Sequence, residues 1–176
     1  MTEAPVFVRL ALPREAAAVA AVQARAWGDT YAELLPPLVL ARLEPEARAE
    51  WAAAIEAPPT STHHLLVALA DGAVTAFAAT GPADPDDGGP TAVGALTVLA
   101  VDPPRRREGH GSRLLQAVAD SLRTDGFTTA ICWLPELDTA QLQFLTEAGW
   151  GADGATRELD MGAATMTQVR LHTALV

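Results

Sequence analysis

Residues 99–115, near the middle of the chain, read LAVDPPRRREGHGSRLL. The apolar run Val93–Val101 leads into this segment and predicts a buried strand that stops at Pro103. Three arginines follow, and then Gly109 and Gly111 open a helical pattern. Glycines at such a place let the backbone approach a ligand, and the first turn of a helix presents unpaired N–H groups with a partial positive charge. The segment is therefore typical of an anion site, and a diphosphate fits it.

Two other phosphate motifs fit this segment poorly. A dinucleotide-binding fingerprint requires a third glycine where Leu114 stands, and a tight turn directly after the strand. A P-loop requires Gly-Lys-Ser/Thr, and all 12 basic residues of this chain are arginines. Arg106 can instead add a charge-assisted contact to a phosphate. The sequence thus favours a diphosphate site of another kind.

The rest of the chain alternates helical and extended patterns in the order β-α-α-β-β-β-α-β-α-β-β. The helical patterns cover Pro13–Trp27, Leu38–Glu56, Gly109 or Gly111 to Gly126, and Asp138–Gly149. The extended patterns cover Val6–Leu10, His64–Leu69, Val74–Thr80, Val93–Val101, Thr128–Leu134, Thr156–Met161 and Met166–Thr173. The predicted breaks are Asp29–Pro37, a hairpin turn at Asp71-Gly72, and the polar loop Gly81–Pro90, the segment most prone to disorder.

Composition and charge limit the class of protein. The chain has 176 residues, of which 49% are apolar, and we expect residues 1–176 to form a single domain of mixed α/β (α+β) class. A net charge of −10 disfavours nucleic acid as the main partner. No apolar stretch is long enough for a membrane span, and the single cysteine, Cys132, excludes an internal disulfide and a cysteine-based zinc site. We see no signal peptide and expect a cytoplasmic protein.

With these residues in view, the chain resembles the GNAT superfamily of acyl-CoA-dependent N-acyltransferases. Members carry a strand ending in Val-x-Pro, followed by Arg/Gln-x-x-Gly-x-Gly/Ala; the matching residues here are Val101-Asp102-Pro103 and Arg106 to Gly111. Phe144 through Gly149-Trp150 is similar to the family's second signature, usually Phe-Tyr-x-x-x-Gly-Phe. The resemblance covers most of the chain. It implies a central, mostly antiparallel sheet of about seven strands flanked by about four helices, with a splayed parallel pair at the centre.

The resemblance implies acetyl-CoA as co-substrate and gives roles to the motif residues. The pantetheine arm would pair, as an added strand would, with backbone groups of Leu99, Ala100 and Val101. The pyrophosphate would be held by Arg106, Arg107, Glu108, Gly109, His110, Gly111 and Ser112. The arm would lie between the motif strand and the strand containing Trp133, with Asp138 and Phe144 near the thiol. Arg105 and Arg107 are candidates for the ribose phosphate, with solvation as the equal alternative.

On the acceptor side, the resemblance points to Trp27 and Tyr31. They stand four apart near the break after the first helix, a region that lines the acceptor pocket in similar proteins, and packing is the equal alternative. The sequence also departs from the family. The family's frequent Tyr, which protonates the leaving thiolate, is Leu145 here, and the Glu that many members carry on the motif strand is Ala95. Asp138 replaces a frequent Asn, and His110 replaces a usually apolar residue.

These departures leave the catalytic residues unassigned. A general acid contributes about 10²–10⁴-fold, so a missing Tyr slows such an enzyme without abolishing it. An alkyl ammonium must lose a proton, at a cost of about 4–5 kcal/mol at pH 7, and no base for this is evident. By polarity and rough placement, the candidates are Tyr31, Asp138, Asp29, His63 and His64.

Several other side chains have structural interpretations. Trp51 is expected in helix or core packing, and Trp133 in strand packing rather than as a ligand platform. His63 and His64 are adjacent, so they point apart on a strand and lack the spacing of metal ligands. The residues expected in the core of the motif helix are Leu114, Leu115, Val118 and Leu122, and His172 is expected to be structural.

The sequence therefore predicts an acyltransferase that moves an acetyl group from acetyl-CoA to a primary amine of a small molecule or peptide, by direct attack in a ternary complex. No metal is expected. Leu145 and Ala95 motivate the alternative of a non-catalytic acyl-CoA-binding or regulatory module on the same fold. A nucleic-acid binder that uses Arg105 to Arg107 is a distant third because of the net charge. We expect an amine acceptor as partner, with no nucleic acid and no membrane, and a homodimer is left open.

Overall fold

The computed structural model describes residues 5–87, 92–162 and 164–176. The strands are β1 Phe7–Leu10, β2 His64–Ala70, β3 Ala73–Pro82, β4 Val93–Val101, β5 Thr129–Pro135, β6 Gly151–Asp160 and β7 Thr165–Ala174. They form one seven-stranded sheet in the order β1-β2-β3-β4-β5-β7-β6. Neighbouring strands pair antiparallel, except β4 and β5, which are parallel. The predicted mixed sheet with a parallel pair at its centre is confirmed.

Helices cover both faces of the sheet. They are α1 Ala16–Tyr31, α2 Pro37–Glu56, α3 His110–Thr124 and α4 Thr139–Glu147. On one face, α1 packs Val19 and Val22 against Val67 and Phe77 of the sheet, and Trp51 of α2 joins this apolar cluster. In the described part of the chain, no helix combines the length and the apolar character that a membrane crossing needs.

The other face of the sheet is covered by α3 and α4. The helical spacing of Leu114 and Leu122 buries both side chains in the core of this face, and Leu145 of α4 joins them. Gly94 of β4 allows α3 to come close, because a Cβ at this position would lie 2.8 Å from Leu122 Cδ2 and 3.0 Å from Phe127 Cδ2. This packing holds α3, the helix after the motif loop, directly against β4, the motif strand.

The parallel strands β4 and β5 pair over only three residues each, which leaves a gap between the rest of the two strands. Only Val93 to Ala95 of β4 pair with Thr129 to Ile131 of β5. Beyond them, β4 pairs only with β3 and β5 only with β7, up to the ends of both strands. Thr97 is an extra residue in β4, because Leu96 and Val98 oppose the consecutive residues Thr80 and Ala79. A bulge of this kind bends the strand, and bulges are common beside functional sites. β4 and β5 thus separate after Ala95 and leave a cleft.

Two predicted boundaries are wrong. The first helix does not end at Trp27 but continues to Tyr31, because the Tyr31 ring is buried with Leu35 and Met166 in a small apolar cluster. Asp29 is therefore helical rather than part of a break. The strand predicted to begin at Thr156 begins at Gly151. Its first residues are exposed at the edge of the sheet and therefore show no apolar alternation.

The polar loop before β4 also starts later than predicted. Gly81 and Pro82 still belong to β3, and Pro85–Asp87 forms a 3₁₀ turn. Residues 88–90 of the predicted loop lie outside the described residues. The motif helix begins at His110, between the two predicted starts Gly109 and Gly111, with Gly109 as its N-cap.

Candidate functional site

The loop between β4 and α3, residues 102–109, has the backbone of an anion site. It makes a 3₁₀ turn over Pro103–Arg105 and then enters the left-handed region at Arg107 (φ 69°) and Gly109 (φ 80°). Glycine adopts this conformation without steric cost, which explains its place at the N-cap. The 15-residue helix α3 starts directly afterwards, so its first N–H groups point toward the loop. Partial positive charge is thereby concentrated where the sequence predicted a diphosphate.

Both ends of this loop are fixed to one residue of β3. The Thr75 carbonyl accepts a hydrogen bond from the Asp102 N–H at 2.8 Å. The Thr75 hydroxyl donates to the Ala68 carbonyl at 3.2 Å, and its oxygen lies 2.8 Å from His110 Nδ1. His110 is 2% exposed, and its Nε2 lies 3.1 Å from Glu108 Oε2. The imidazole, which replaces a usually apolar residue, thus joins the start of α3 to both the sheet and the loop.

The charged side chains of the loop are engaged within the protein. Arg106 Nη1 lies 2.5 Å from Asp29 Oδ2 on α1, and Arg105 lies 2.9 Å from Glu108. Asp102 accepts two hydrogen bonds from Arg25, also on α1. Arg106 was predicted to contact a phosphate; in this structure its guanidinium is turned to α1 instead. Asp29 lies on α1, and its carboxylate attracts the Arg106 guanidinium, which explains this orientation.

The cleft between β4 and β5 is a cavity of about 210 Å³. Its walls come from α1 and the following turn, from the separated strands, from α4 and from the β6–β7 hairpin. The side chains that line it are Trp27, Tyr31, Leu34, Leu35, Leu96, Thr97, Val98, Leu99, Cys132, Trp133, Leu134, Pro135, Gln141, Leu159, Met161, Met166 and Gln168. None of these is an Asp, Glu or His. The predicted acceptor residues Trp27 and Tyr31 therefore share one cavity with the open edge of the motif strand.

α4 contacts the motif from the side of β5. Gln141 Nε2 donates to the Leu99 carbonyl at 3.0 Å, so one backbone acceptor predicted to pair with pantetheine is occupied by a side chain of the protein. Phe144 packs against the start of α3, since a Cβ on Gly111 would lie 3.4 Å from Phe144 Cζ and 3.5 Å from Val101 Cγ2. Ser112 is exposed and lines a second depression, beside the C-terminal end of α4. The structure thus brings Phe144 to the motif loop and turns Ser112 away from the cleft.

The two weak catalytic candidates, Tyr31 and Asp138, lie close enough to interact electrostatically. Asp138 caps α4 by accepting a hydrogen bond from the Gln141 N–H at 3.2 Å, and burial raises the pKa of its carboxyl group. Burial, reinforced by the charge of Asp138, raises the pKa of Tyr31 to about 12. Tyr31 is therefore a neutral hydroxyl at physiological pH, suited to hydrogen bonding rather than to removing a proton.

Leu145 and Ala95, which stand where the family often carries a Tyr and a Glu, supply no acid or base. Leu145 is completely buried in the core beneath α3. Ala95 is the last residue of β4 that pairs with β5, at the closed end of the cleft. Cys132 also lines the cavity, and burial raises the pKa of its thiol to about 12. Among the described residues that line the cavity, none is thus ready to act as nucleophile or base at neutral pH.

One feature of the cavity wall was missed by sequence reasoning. Trp133 was expected in strand packing, and its ring also contacts two guanidinium groups, with Arg157 at 4.4 Å and Arg170 at 5.5 Å from the ring centre. The indole N–H donates to Asp87 Oδ1 at 3.1 Å. Arg157 and Arg170 come from β6 and β7, more than twenty residues after Trp133. No local pattern in the sequence indicates that these three side chains meet.

The remaining polar candidates lie elsewhere. His64 pairs with Asp125 at 2.9 Å, and His63 Nδ1 lies 2.7 Å from Thr60 Oγ1; neither lines the cleft. The Trp51 indole donates to Gln23 at 2.6 Å and packs on Phe77, so its predicted structural role is confirmed. Among residues 5–87, 92–162 and 164–176, no three His, Cys, Asp or Glu side chains are grouped as a metal site requires.

Solved structures with this fold are numerous. PaiA N-acetyltransferase from Thermoplasma acidophilum, solved in complex with coenzyme A, matches 97% of this chain and 99% of its own at 13% identity and a TM-score of 0.77. Ribosomal-protein-alanine N-acetyltransferase from Brucella melitensis matches 96% of this chain and 99% of its own at 20% identity and a TM-score of 0.74. YncA from Salmonella typhimurium, solved with acetyl-CoA, matches 98% and 95% at 17% identity and a TM-score of 0.70. At these identities the likeness establishes the fold.

Sequence comparison establishes the family. No protein among the curated sequences matches this chain. The family model of the acetyltransferase (GNAT) family, however, matches residues 25–150, which include the end of α1, both strands of the cleft, the motif loop and α4. Because this match spans well over half of the chain, and because the fold agrees with it, the protein belongs to the GNAT family of acetyltransferases, whose members use acetyl-CoA.

Proposed function

We propose that the protein transfers the acetyl group of acetyl-CoA to a primary amine of a small molecule or peptide. The observation that carries this proposal is the cleft between β4 and β5, which starts after Ala95 and connects the open edge of the motif strand with the aromatic wall of Trp27 and Tyr31. A thioester and an amine need one shared, water-poor space to react, and this cleft supplies it.

The motif loop has room and charge for the diphosphate of coenzyme A. Gly109 and Gly111 keep side chains away from the start of α3, and the helix presents its free N–H groups there. Arg107 is exposed, and in the described part of the chain it has no carboxylate within 4 Å. Arg106 reaches a phosphate once it leaves Asp29. These residues, with the backbone of Ala100 and Val101, would hold the co-substrate.

The acyl group would be transferred directly to the amine. Acetyl-CoA supplies an acetyl group activated as a thioester; a neutral amine nitrogen bonds to the acyl carbon, the carbon–sulfur bond breaks, and the amine proton is released as the thiolate leaves. Cys132 lines the cavity, but with a pKa of about 12 its thiol is protonated and a poor nucleophile. This favours attack in a ternary complex over an acetylated protein intermediate.

The chemistry would rely on position rather than on an acid and a base. Leu145 supplies no proton to the leaving thiolate, and the lining residues that the structure describes include no carboxylate or imidazole. Orientation alone contributes up to roughly 7–11 kcal/mol, and a thiolate with a parent pKa near 8.5 leaves without strong assistance. Backbone N–H groups of β4 beyond Ala95 are available to polarise the thioester carbonyl.

The absence of a carboxylate or imidazole from the described lining residues also supports one alternative, a non-catalytic acyl-CoA-binding or regulatory module. The two functions differ in thiol release. The protein is incubated with acetyl-CoA and a set of primary amines, and free coenzyme A is measured with a thiol reagent. Release above the uncatalysed rate with any amine supports the enzyme, whereas binding of acetyl-CoA without release supports the module.

The co-substrate site is tested by calorimetry. We expect Gly111→Trp to abolish coenzyme A binding, since the new ring would fill the space between Val101 and Phe144. Gly151→Trp is the matched control, because a Cβ at Gly151 meets no atom within 4 Å. Both variants are checked for folding by circular dichroism. Undiminished affinity in folded Gly111→Trp would refute the assignment of the loop.

A further inference from the structure

Arg157 is held in one orientation beside the cleft. Its guanidinium carbon lies 4.4 Å from the centre of the Trp133 ring, and its Nε donates to Gln168 Oε1 at 2.7 Å. Stacking on an indole and a hydrogen bond from Nε leave the two terminal nitrogens of the guanidinium as a preoriented pair of donors. Arg157 is exposed, and these two contacts restrict its guanidinium before a ligand arrives, which lowers the entropic cost of binding.

Arg157 and Arg170 both contact Trp133, but only one of them is neutralised. Arg170 Nε lies 2.6 Å from Asp153 Oδ2, and its Nη1 donates to the Asp87 carbonyl at 2.8 Å. Within the described ranges of the chain, no carboxylate lies within 4 Å of a nitrogen of Arg157. The protein has a net charge of −10, so an arginine without a carboxylate partner is a local positive charge on a mainly acidic protein.

The position of Arg157 connects this charge to the acceptor side of the cleft. Trp133 and Gln168, the two side chains that hold it, both line the cavity. Much of the wall is apolar; it is formed by Trp27, Leu34 and Leu35 from the side of α1 and by Leu159, Met161 and Met166 from the β6–β7 hairpin that carries Arg157. The cleft therefore offers an acceptor an apolar surface, and the Arg157 guanidinium lies next to it, on the two lining residues Trp133 and Gln168.

We propose that Arg157 binds the carboxylate of the acceptor, and that the acceptor is a free α-amino acid with an apolar side chain. This inference rests on the proposed function, since it names the amine. A bidentate pair between a preoriented guanidinium and a carboxylate is strong and selective. The apolar wall takes the side chain, and the α-amine, next to the carboxylate, faces the cleft. An N-terminal peptide amine lacks this carboxylate and leaves Arg157 without a partner.

A matched pair of acceptors tests the proposal in turnover. L-leucine and L-leucinamide differ only in the charged group, and the amide represents a peptide N-terminus. We expect Arg157→Gln to lower kcat/KM for leucine by roughly 10- to 100-fold and to change that for leucinamide by less than about 2-fold, as the loss of a hydrogen bond to a charged group predicts. Arg48→Gln, an exposed arginine of α2 outside the cavity lining, is the control for net charge and should alter neither value.

Equilibrium binding separates this proposal from the proposed function. N-acetyl-L-leucine and N-acetyl-L-leucinamide are titrated into the protein with coenzyme A present, which requires no turnover. We expect the acid to bind at least about 10-fold more tightly than the amide, and this preference to disappear in Arg157→Gln. Equal affinities in the wild type, no binding of either compound, or a preference that survives in Arg157→Gln would overturn the proposal. Failure of the proposed function would appear separately, as absent thiol release with every amine.

Discussion

The ion pair between Arg106 and Asp29 ties the motif loop to α1. Both side chains are largely exposed, at 40% and 55%, so the pair contributes at most about 1 kcal/mol. Its importance is positional, because a phosphate and the Asp29 carboxylate would compete for the same guanidinium. The resting protein thus holds its motif arginine at a carboxylate that a stronger anion can replace.

Asp29→Asn should therefore strengthen coenzyme A binding. Arg106 no longer has to leave a carboxylate, and the dissociation constant should fall by up to about 5-fold, the equivalent of roughly 1 kcal/mol. Asp120→Asn, which breaks the exposed Asp120–Arg123 pair on α3, is the control and should leave the affinity unchanged. Calorimetric titration of both variants measures the effect. A weaker affinity for Asp29→Asn would show that Asp29 helps to position Arg106 for the phosphate.

The burial of Asp138 has a consequence for stability. Burial raises the pKa of this carboxyl group in the folded protein, so ionisation destabilises the fold as pH rises through the shifted pKa. Asparagine caps a helix as well as aspartate does. Asp138→Asn should therefore have a higher free energy of unfolding than the wild type at pH 8, and the gain should shrink as the pH is lowered toward the unfolded value near 3.9.

Glu15 supplies the opposite case for the same measurement. Its hydrogen bonds with Arg9 lower the pKa of its carboxyl group, so its stabilising effect is present at neutral pH and is lost as pH falls through the lowered pKa. Glu15→Gln should thus be destabilised at pH 8, with a deficit that shrinks in acid. Urea denaturation of both variants from pH 8 down to about pH 2.5 gives the two slopes, because the Glu15 effect changes only below its unfolded pKa near 4.5. Slopes of the same sign for the two substitutions would contradict the assignment.

At the level of single residues, the sequence predicts what lies close in the chain. The Val-x-Pro strand end, Gly109 and the capping residue Asp138 are visible as local patterns, and the structure places them as the patterns indicate. The partners of Arg106 and Trp133 are not visible, because they lie 77 residues away in one case and on later strands in the other. Side-chain pairing across a sheet depends on register, which no local pattern contains.

Among the secondary-structure elements, the approach of α3 to β4 sets the position of the motif loop. Gly94 makes this approach close, with Leu122 and Phe127 within 3.0 Å of where its Cβ would be. A helix displaced outward would carry Gly109 and the free N–H groups of α3 away from the open edge of β4. The packing of α3 at Gly94, where β4 and β5 are still paired, thus determines the position of the motif loop beyond the point where the two strands separate.

Gly94→Ala should destabilise the protein by about 1–3 kcal/mol, as overpacking of a core does. Coenzyme A binding should weaken at the same time, because the start of α3 shifts with the helix. Gly151→Ala, on the exposed edge strand, has space for the methyl group and should change the free energy of unfolding by less than about 0.5 kcal/mol. Urea denaturation together with calorimetry measures both effects. Weakened binding without lost stability would place the effect in the loop itself.

The order and type of every helix and strand follow from periodicity, whereas the errors fall at their ends. α1 gains four residues because Tyr31 finds burial with Leu35 and Met166, contacts that exist only in the folded chain. β6 gains residues at its start because an edge strand needs no apolar face. The short parallel pairing and the bulge at Thr97, which open the cleft, depend on tertiary packing and cannot be seen in the sequence.

At the scale of the whole molecule, the acidic residues that the structure describes lie outside the lining of the cleft. The net charge is −10, yet the lining of the cleft contains no Asp, Glu or His. Under the proposed function, an acceptor that arrives as an ammonium ion would meet a negative field on approach, and among the described lining residues it would find no carboxylate or imidazole to pair with. We therefore expect the ammonium to lose its proton to solvent as it enters the cleft, since an unpaired charge is costly to bury.

This arrangement predicts the pH dependence of the reaction. The logarithm of kcat/KM should rise with a slope near one over pH 6–9 and level off only where the acceptor amine itself titrates, because free amine is the reacting form. Thiol release measured over this range, with the uncatalysed rate subtracted and coenzyme A affinity determined at each pH, gives the profile. A plateau beginning near pH 7 would identify a base within the protein, and Asp138→Asn would then show whether Asp138 is that base.

Thr75 connects the folding of the sheet with the capture of the co-substrate. Because this one residue of β3 holds both Asp102 and His110, fraying of β3 would release the two ends of the loop together. Binding competence and sheet integrity should then disappear in a single cooperative transition on heating, and no intermediate with an intact sheet but a loosened loop should accumulate.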